Sequence, residues 1–492
     1  MPRMMLCLSL CCGSALFVVR PVSGDQNSPA FDPQPPATPA AGGLNIVLFL
    51  IDDLGWRDLG CQGSTFYRTP HIDQLAQQGV RFTNAYAACA VCSPTRASIL
   101  TGRYPARLLL TDWLPSGRWN PKARLREGRV LRGLPVEEWT LAEALREAGY
   151  RTWHVGKWHL GSEPFCLPQH HGFDVNRGGN AHGAPGRYFY PYQGNWRIPT
   201  TGLRARWNVF PDGEPGEYLT DRLTDEAVRL IQQPSERPFF LYFPHYGVHT
   251  PLQARQEKIA RYERVPAAER QGQPTYAAMV ESIDDSVGRV LDALKERQLE
   301  QRTIILFTSD NGGFYKATSN RPLRANKGAY YEGGIRVPLI IRWPGVSQAG
   351  RVCDRPVISN DLYPTCLSAA GLPMQPHQHC DAVNLRPLLG EESDAFPERS
   401  LFWHFPHYNG HPSSVPCSVI RNGDWKLIES FDPPGVELFN LRDDAGESRN
   451  LASELPERTH ALQQQLEQWR ESVGAERMRP NPNYEPSATG SR

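Results

Sequence analysis

The sequence predicts an α/β protein: a large, mostly parallel sheet sandwiched by helices, followed by a smaller C-terminal α+β subdomain. Three observations predict it. Continuous apolar runs of strand length recur at residues 45–50, 303–307 and 337–341, as in strands covered on both faces. Segments with helical apolar spacing alternate with them, which implies a parallel sheet between helix layers. After about Pro397 the pattern changes to short strand candidates separated by turn residues.

Taken in chain order, residues 1–24 read as an export signal. Arg3 gives a positive start, residues 4–19 are mostly apolar, and Val22 and Gly24 suit a cleavage site. Residues 25–43 are rich in Pro, Ala and Gly and read as a linker. The main domain then covers 44–397. Thr69-Pro70 starts a helix in which Ile72, Leu75, Ala76 and Val80 recur at helical spacing, with Gly79 at its end. Thr140 and Glu143 form a capping-box pattern ahead of Leu141, Ala144 and Leu145, and Gly149 is the stop. Val280, Ile283, Val287, Val290, Leu291 and Leu294 predict a long amphipathic helix. In the subdomain, 398–478, strands are expected at 401–405, 418–421, 425–429 and 437–440. Turns fall at Asn422-Gly423 and Pro433-Pro434-Gly435, and a closing helix at 456–473. Residues 479–492 read as a flexible tail.

Composition narrows the function classes. The 492 residues exceed one typical core, and 40% hydrophobic with 21% charged residues is ordinary for a globular protein. A net charge of +1 gives no ground for nucleic acid or an anionic membrane as partner, so attraction for an anionic substrate must be local. Arg20 and the Pro-rich stretch behind it argue against a spanning anchor, and no stable membrane insertion is expected. Of 11 Cys, Cys7, Cys11 and Cys12 leave with the signal. Export permits disulfides among the rest, but their pairing is not legible.

Chemistry gathers where strands end, as ligands do in open α/β sheets. The run 45–51 ends in Asp52-Asp53, and 303–308 leads to Asp310-Asn311-Gly312-Gly313. The run 239–243 leads to His245 and His249, and 152–155 to Lys157 and His159. Asp52, Asp53, Asp310 and Asn311 make an all-oxygen set that suits a hard cation of the Ca²⁺ type. Zn²⁺ is disfavoured because no Cys/His set fits. Lys157 and His159 fall on one side of an extended segment. Pro94 suits a first helical turn, which places Cys92 just ahead of a helix N-terminus, where backbone N–H groups favour anions.

The run Cys92-Ser-Pro-Thr-Arg96, extended to Gly102-Arg103, resembles the modification signature of the type I, formylglycine-dependent sulfatases, which are arylsulfatase-like members of the alkaline phosphatase superfamily. Four further segments fit the same family: the strand-end Asp pairs, His154-Val-Gly-Lys-Trp-His-Leu-Gly161, Val248-His-Thr-Pro251, and Asn326-Lys-Gly328 before Glu332-Gly-Gly-Ile-Arg-Val-Pro338. The resemblance spans residues 45 to about 452. It implies that a maturation enzyme oxidises Cys92 to formylglycine, whose hydrate attacks sulfur. It implies one Ca²⁺ held by Asp52, Asp53, Asp310, Asn311 and position 92, with Arg96, Lys157, His159, His249 and Lys327 around the sulfate. Asp310 would help deprotonate the attacking hydroxyl. His249 or Lys327 would protonate the leaving oxygen, and His159 would take the proton of the second hydroxyl. Arg321, Arg324, His404 and His407 are the candidates for reading the rest of the substrate, expected to be a sulfated carbohydrate. An exported, periplasmic or secreted sulfatase follows. The alternatives are a phosphoester or phosphonate hydrolase of the same superfamily, and a glycan-binding pseudo-sulfatase with Cys92 unconverted.

Overall fold

The structure is a computed structural model that describes residues 43–115, 120–197, 204–390 and 393–485. The expected export signal and nearly all of the linker lie outside the described residues. Nine strands form the main sheet. Eight run from edge to edge in the order Arg351–Cys353, Val80–Tyr86, Arg336–Arg342, Thr303–Ser309, Asn45–Ile51, Phe239–Pro244, Arg151–Val155 and Val175–Arg177, and Val357–Ile358 also pairs with Val80–Tyr86. Only Arg336–Arg342 runs antiparallel to its neighbours; the other pairings are parallel.

The first strand shows why the apolar runs are continuous. Val47, Phe49 and Ile51 pack on one face with Ile283 and Val287 of the long helix Pro274–Glu296 and with Leu223 of Leu219–Gln232. Ile46, Leu48 and Leu50 pack on the other with Leu141 and Leu145 of Leu141–Glu147 and Leu362 of Leu362–Ala369. Each large apolar side chain removed from water contributes about 1.5–3 kcal/mol, so both faces favour burial. The capping box forms as expected: Thr140 Oγ1 accepts from Glu143 N at 3.2 Å and Thr140 N donates to Glu143 Oε2 at 2.8 Å.

The C-terminal part is a four-stranded antiparallel sheet in chain order, Ser400–Phe405, Cys417–Asn422, Trp425–Phe431 and Pro434–Asn440, with the helix Pro456–Ser472 against it. Trp469 of that helix stacks on Phe402, ring centroids 4.8 Å apart. The sheet docks on the main domain, and Trp403 Nε1 donates to Ala87 O at 2.8 Å. Two expectations need correction. The last hairpin turns one residue earlier than the Pro-Pro-Gly run suggested, because Phe431 pairs with Pro434, leaving Asp432-Pro433 as the loop. The tail is anchored at its start: Arg479–Pro480 pair with Leu125–Arg126, and Asn481 Nδ2 donates to Pro121 O and Ala123 O. The eight cysteines among the described residues are all free thiols.

Candidate active site

Parallel pairing sets the site. Ile51 lies opposite Ser309, so the two central strands end at one level and present Asp52-Asp53 beside Asp310-Asn311. Asp52 N donates to Gly247 O at 3.0 Å and Val248 N to Asp52 O at 2.8 Å, which brings the turn bearing His249 to the same edge. At Gly156, with φ +122°, a Cβ would sit 1.9 Å from Pro244 O. This glycine lets Lys157 N reach Pro244 O at 2.7 Å, which aims Lys157 inward.

Cys92 is the first residue of a fully buried helix, Cys92–Thr101, rather than the residue before it. The turn ahead of the helix is tied down. Thr95 Oγ1 donates to Cys89 O and accepts from Cys89 N, and the Cys89 thiol lies 3.0 Å from Tyr330 OH. Cys89 and Cys92 have a Cys-x-x-Cys spacing that carried no weight in the sequence reading; here Cys89 is occupied with the turn. Ser93 Oγ donates to His159 O at 2.8 Å, fixing the His159 segment against the helix.

Three buried ion pairs surround Cys92. Lys157 Nζ is 2.6 Å from Asp52 Oδ2, Arg96 Nη2 is 2.7 Å from Asp310 Oδ2, and Lys327 Nζ is 2.6 Å from Asp53 Oδ1. Three carboxylates thus face three cations with no net charge. Two oxygens are left without a hydrogen-bond partner although buried: Asp52 Oδ1 and Asn311 Oδ1. Such orphans are costly unless something satisfies them. The backbone of Asp53, φ +63°, and that of His159, φ +59°, are both left-handed. Such conformations cost about 1–3 kcal/mol and cluster at functional sites.

The electrostatics follow from burial and neighbours. Burial pushes the Asp52 carboxyl up to about 8 despite Lys157 and Arg96. Burial would also raise Asp53, but Lys327 and His249 hold it below the usual carboxylate range. Burial, then Lys327, lowers His249 to about 3. Burial and Lys157 hold His159 well below the usual histidine value. Burial also raises the Cys92 thiol, against the pull of Lys157 and Lys327.

Both histidines have assignable tautomers. His159 Nε2 lies 2.6 Å from Leu114 O, a pure acceptor, so Nε2 carries the proton and Nδ1 offers a lone pair to Cys92 Sγ at 3.3 Å. His249 Nδ1 lies 2.7 Å from Thr250 O, so its Nε2 is the free nitrogen, 3.7 Å from Asp53 Oδ2.

A cavity of about 200 Å³ opens over these groups, lined by Asp53, Cys92, His159, His249 and Lys327 at its base. Trp113, Gly183, Thr250, Phe314 and His411 complete it. Sequence reasoning did not assign these five to the site, although Thr250 falls inside the Val248-His-Thr-Pro251 match; all five come from loops. A groove of about 750 Å³ on the C-terminal subdomain, beside Trp425 and Arg458, is larger but contains none of the candidate site residues.

The structure does not bring the four substrate candidates to this cavity. Arg324 lies over the Tyr331 ring at 3.8 Å and donates to Glu447 O at 2.9 Å. His404 spends both nitrogens on Ser418 Oγ, 2.7 Å, and Glu476 O, 2.8 Å. His407 is fully buried against Thr111 Oγ1, 2.8 Å, and Glu127. Arg321 is exposed and is not part of the lining.

The donor set fits a Ca²⁺ ion. Carboxylates of Asp52, Asp53 and Asp310 and the amide oxygen of Asn311 are hard ligands, and the two orphaned oxygens belong to this set. Asp52, Asp53 and His249 also place ligand atoms within 4.8 Å of one another.

Comparison with known proteins agrees with this geometry. Residues 44–372 match the family model described as Sulfatase, and 325–472 match that described as N-sulphoglucosamine sulphohydrolase, C-terminal. The chain is 33% identical to a protein named "Sulfatase" from Formosa agariphila over 84% of this chain and 85% of the other. It is 35% identical to N-acetylgalactosamine-6-sulfatase of Canis lupus familiaris, over 76% and 69%. Among solved structures, Ps i-CgsB in complex with k-i-k-neocarrahexaose has a TM-score of 0.74 at 29% identity, covering 91% of this chain and 94% of that one.

Proposed function

The chain belongs to the sulfatase family and is a sulfuric ester hydrolase, and we propose that it acts on a sulfated carbohydrate with a formylglycine made from Cys92 beside a Ca²⁺ ion. The observation that carries this is the placement of Cys92: first residue of a buried helix, 3.3 Å from His159 Nδ1, in the lining of a cavity that Lys327 also lines, with the ion pairs of Lys157 and Arg96 buried close by. A buried thiol with its acidity suppressed is a poor nucleophile, so conversion by a maturation enzyme makes sense of the site. Formylglycine supplies, once hydrated, two hydroxyls on one carbon. Asp52, Asp53, Asp310, Asn311 and position 92 would hold a Ca²⁺ ion, which would supply positive charge to the sulfate oxygens.

The protein's own residues do the rest. Lys157 and Lys327 flank the sulfate position and stabilise charge that grows on its oxygens as the ester bond breaks, most effectively where water is excluded. Arg96 acts from below, fixing Asp310 through Nε at 3.0 Å and Nη2 at 2.7 Å and leaving Asp310 Oδ1 for the metal set and for Asp53 N. His159 Nδ1 is placed to take a proton from the oxygen of position 92. His249 Nε2 or Lys327 Nζ delivers a proton to the leaving oxygen; His249 is neutral in the empty cavity, and the arriving sulfate anion favours its protonation. Each such transfer contributes about 10²–10⁴-fold.

The carbohydrate reading is supported by the aromatic walls Trp113 and Phe314, which suit a sugar ring, by the relative named N-acetylgalactosamine-6-sulfatase, and by the solved neighbour in complex with k-i-k-neocarrahexaose. Export before residue 25 accompanies it. Among the described residues no helix is long and apolar enough to cross a membrane. The test is sulfate release from sulfated oligosaccharides, aryl sulfates and a phosphonate monoester, using protein matured with a formylglycine-generating enzyme. Preference for sulfated oligosaccharides supports the proposal; preference for the phosphonate moves the reading to the phosphonate hydrolases.

A further inference from the structure

Arg324, Lys327 and Glu332 share one segment, and its anchorage lies outside the cavity. Lys327 N donates to Gly313 O at 3.1 Å, and Gly328 N to Ala90 O at 2.8 Å, two residues before Cys92. Gly333 N closes the loop on Arg324 O at 2.8 Å, and Gly312 N, next to Asn311, donates to Gly334 O at 2.9 Å. One short stretch therefore touches the nucleophile turn, the metal turn and the catalytic lysine.

That stretch is pinned by a buried ionic hub contributed mostly by the C-terminal subdomain. Lys426 Nζ lies 2.9 Å from Glu332 Oε1 and 2.8 Å from Glu447 Oε1, and all three side chains are fully buried. Glu447 Oε2 accepts from Glu332 N at 2.7 Å. Tyr86 OH donates to Glu332 Oε2 at 2.6 Å, while Arg421 reaches Tyr86 OH and Arg336 lies 3.5 Å from Glu332. Lys426 and Arg421 come from the four-stranded sheet, Glu447 from the loop that follows it, and Tyr86 from the main sheet. A buried ion pair is weak as a source of stability, since apolar replacements often do as well. What it provides is a fixed geometry, because each charge accepts few arrangements in a low-dielectric interior.

We infer that Lys426 and Glu447 are positioning residues: through Glu332 they hold the 324–335 segment so that Lys327 and the Cys92 turn keep register with each other. The inference rests on the sulfatase reading for its catalytic consequence, but the coupling itself is independent of the substrate. It also gives the C-terminal subdomain a part in catalysis that does not pass through His404 or His407.

The experiment compares wild type with Lys426→Met and Glu447→Gln, the latter being the milder change should the first fail to fold. Glu447 is already raised to about 7 by burial, so it can hold a proton once Lys426 is gone. Hydrogen exchange reads the coupling. Faster exchange across 324–335 and 88–91 in a folded variant is expected; unchanged protection there overturns the inference whatever the activity. Kinetics read the consequence, after the formylglycine content of each variant has been measured. Loss of Lys327 alignment should cost 4-nitrophenyl sulfate only the charge stabilisation, and an alkyl sulfate, whose leaving oxygen also needs a proton, about tenfold or more beyond that. Lys426→Arg should restore part of the difference. An equal loss on both substrates marks a purely structural role and overturns the inference. Asp424→Asn, which breaks an exposed pair with Arg442 on the same hairpin, should change neither readout. A wild type that releases no sulfate but shows the exchange coupling would count against the function and not against the hub.

Discussion

Gly183→Ala tests the role given to His159. A Cβ at Gly183 would sit 2.4 Å from Cε1, 2.6 Å from Nε2 and 2.8 Å from Nδ1 of His159. To regain ordinary van der Waals distance the ring must retreat by about 1 Å. It has little freedom to do so: Nε2–H is committed to Leu114 O at 2.6 Å, Nδ1 faces Cys92 at 3.3 Å, and the side chain is buried. A retreat of that size breaks at least one of the two contacts, and a misplacement of about 1 Å can cost about 10²-fold in rate. Gly183 itself does not use a left-handed φ, so Ala is tolerated by the backbone and lowers the entropy of the unfolded chain by about 0.4–1 kcal/mol. The lost contact of the buried ring costs about 1–3 kcal/mol, which the entropy gain only partly offsets, so the expected variant is folded, somewhat less stable, and slow. With an aryl sulfate in a stopped-flow assay, the phenol should appear in a burst followed by slow turnover, because His159 is assigned to the step after the alcohol leaves. Turnover within threefold of wild type in the folded variant would refute the role given to His159.

Three further outcomes follow from the same geometry. Arg96→Met strands the Asp310 carboxylate in the interior, and removing one partner of a buried pair costs about 3–5 kcal/mol, readable as a lower urea midpoint. Added Ca²⁺ should raise the thermal midpoint, by an amount equivalent to about 2.7 kcal/mol at a hundredfold excess over Kd, and a chelator should reverse it; Asn311→Leu should remove the response. His404→Ala should destabilise by about 1–3 kcal/mol, since it abandons Ser418 Oγ and Glu476 O, while KM for a sulfated oligosaccharide stays within twofold.

Much of the fold and the heart of the site were legible because they follow local rules. The run of apolar residues into Asp52-Asp53 and the run into Asp310-Asn311 are adjacent parallel strands, and parallel pairing alone puts their ends together. The helix after Cys92 was legible from Pro94. What was not legible depends on tertiary approach. Trp113, Phe314 and His411 reach the cavity from three separate loops, and nothing in their local sequence distinguishes them from surface aromatics. His404 was a substrate candidate because the C-terminal subdomain borders the pocket in the family the sequence resembles. Its position opposite Ser418 in the hairpin ladder gives it an internal partner instead, a register that pairing the two strands would have revealed. Arg324 was taken for a substrate reader by its nearness to Lys327, but its guanidinium stacks on Tyr331 and braces the loop after the C-terminal sheet.

The oxidised form of the nucleophile at position 92 is tested by the mass of the tryptic peptide 82–96 from protein purified out of its native host, taken on the same sample that is assayed for sulfate release. The peptide should be lighter than the thiol form, with formylglycine at Cys92 and activity in proportion to its occupancy. An intact thiol at Cys92 in protein that hydrolyses sulfate esters at full rate would contradict it.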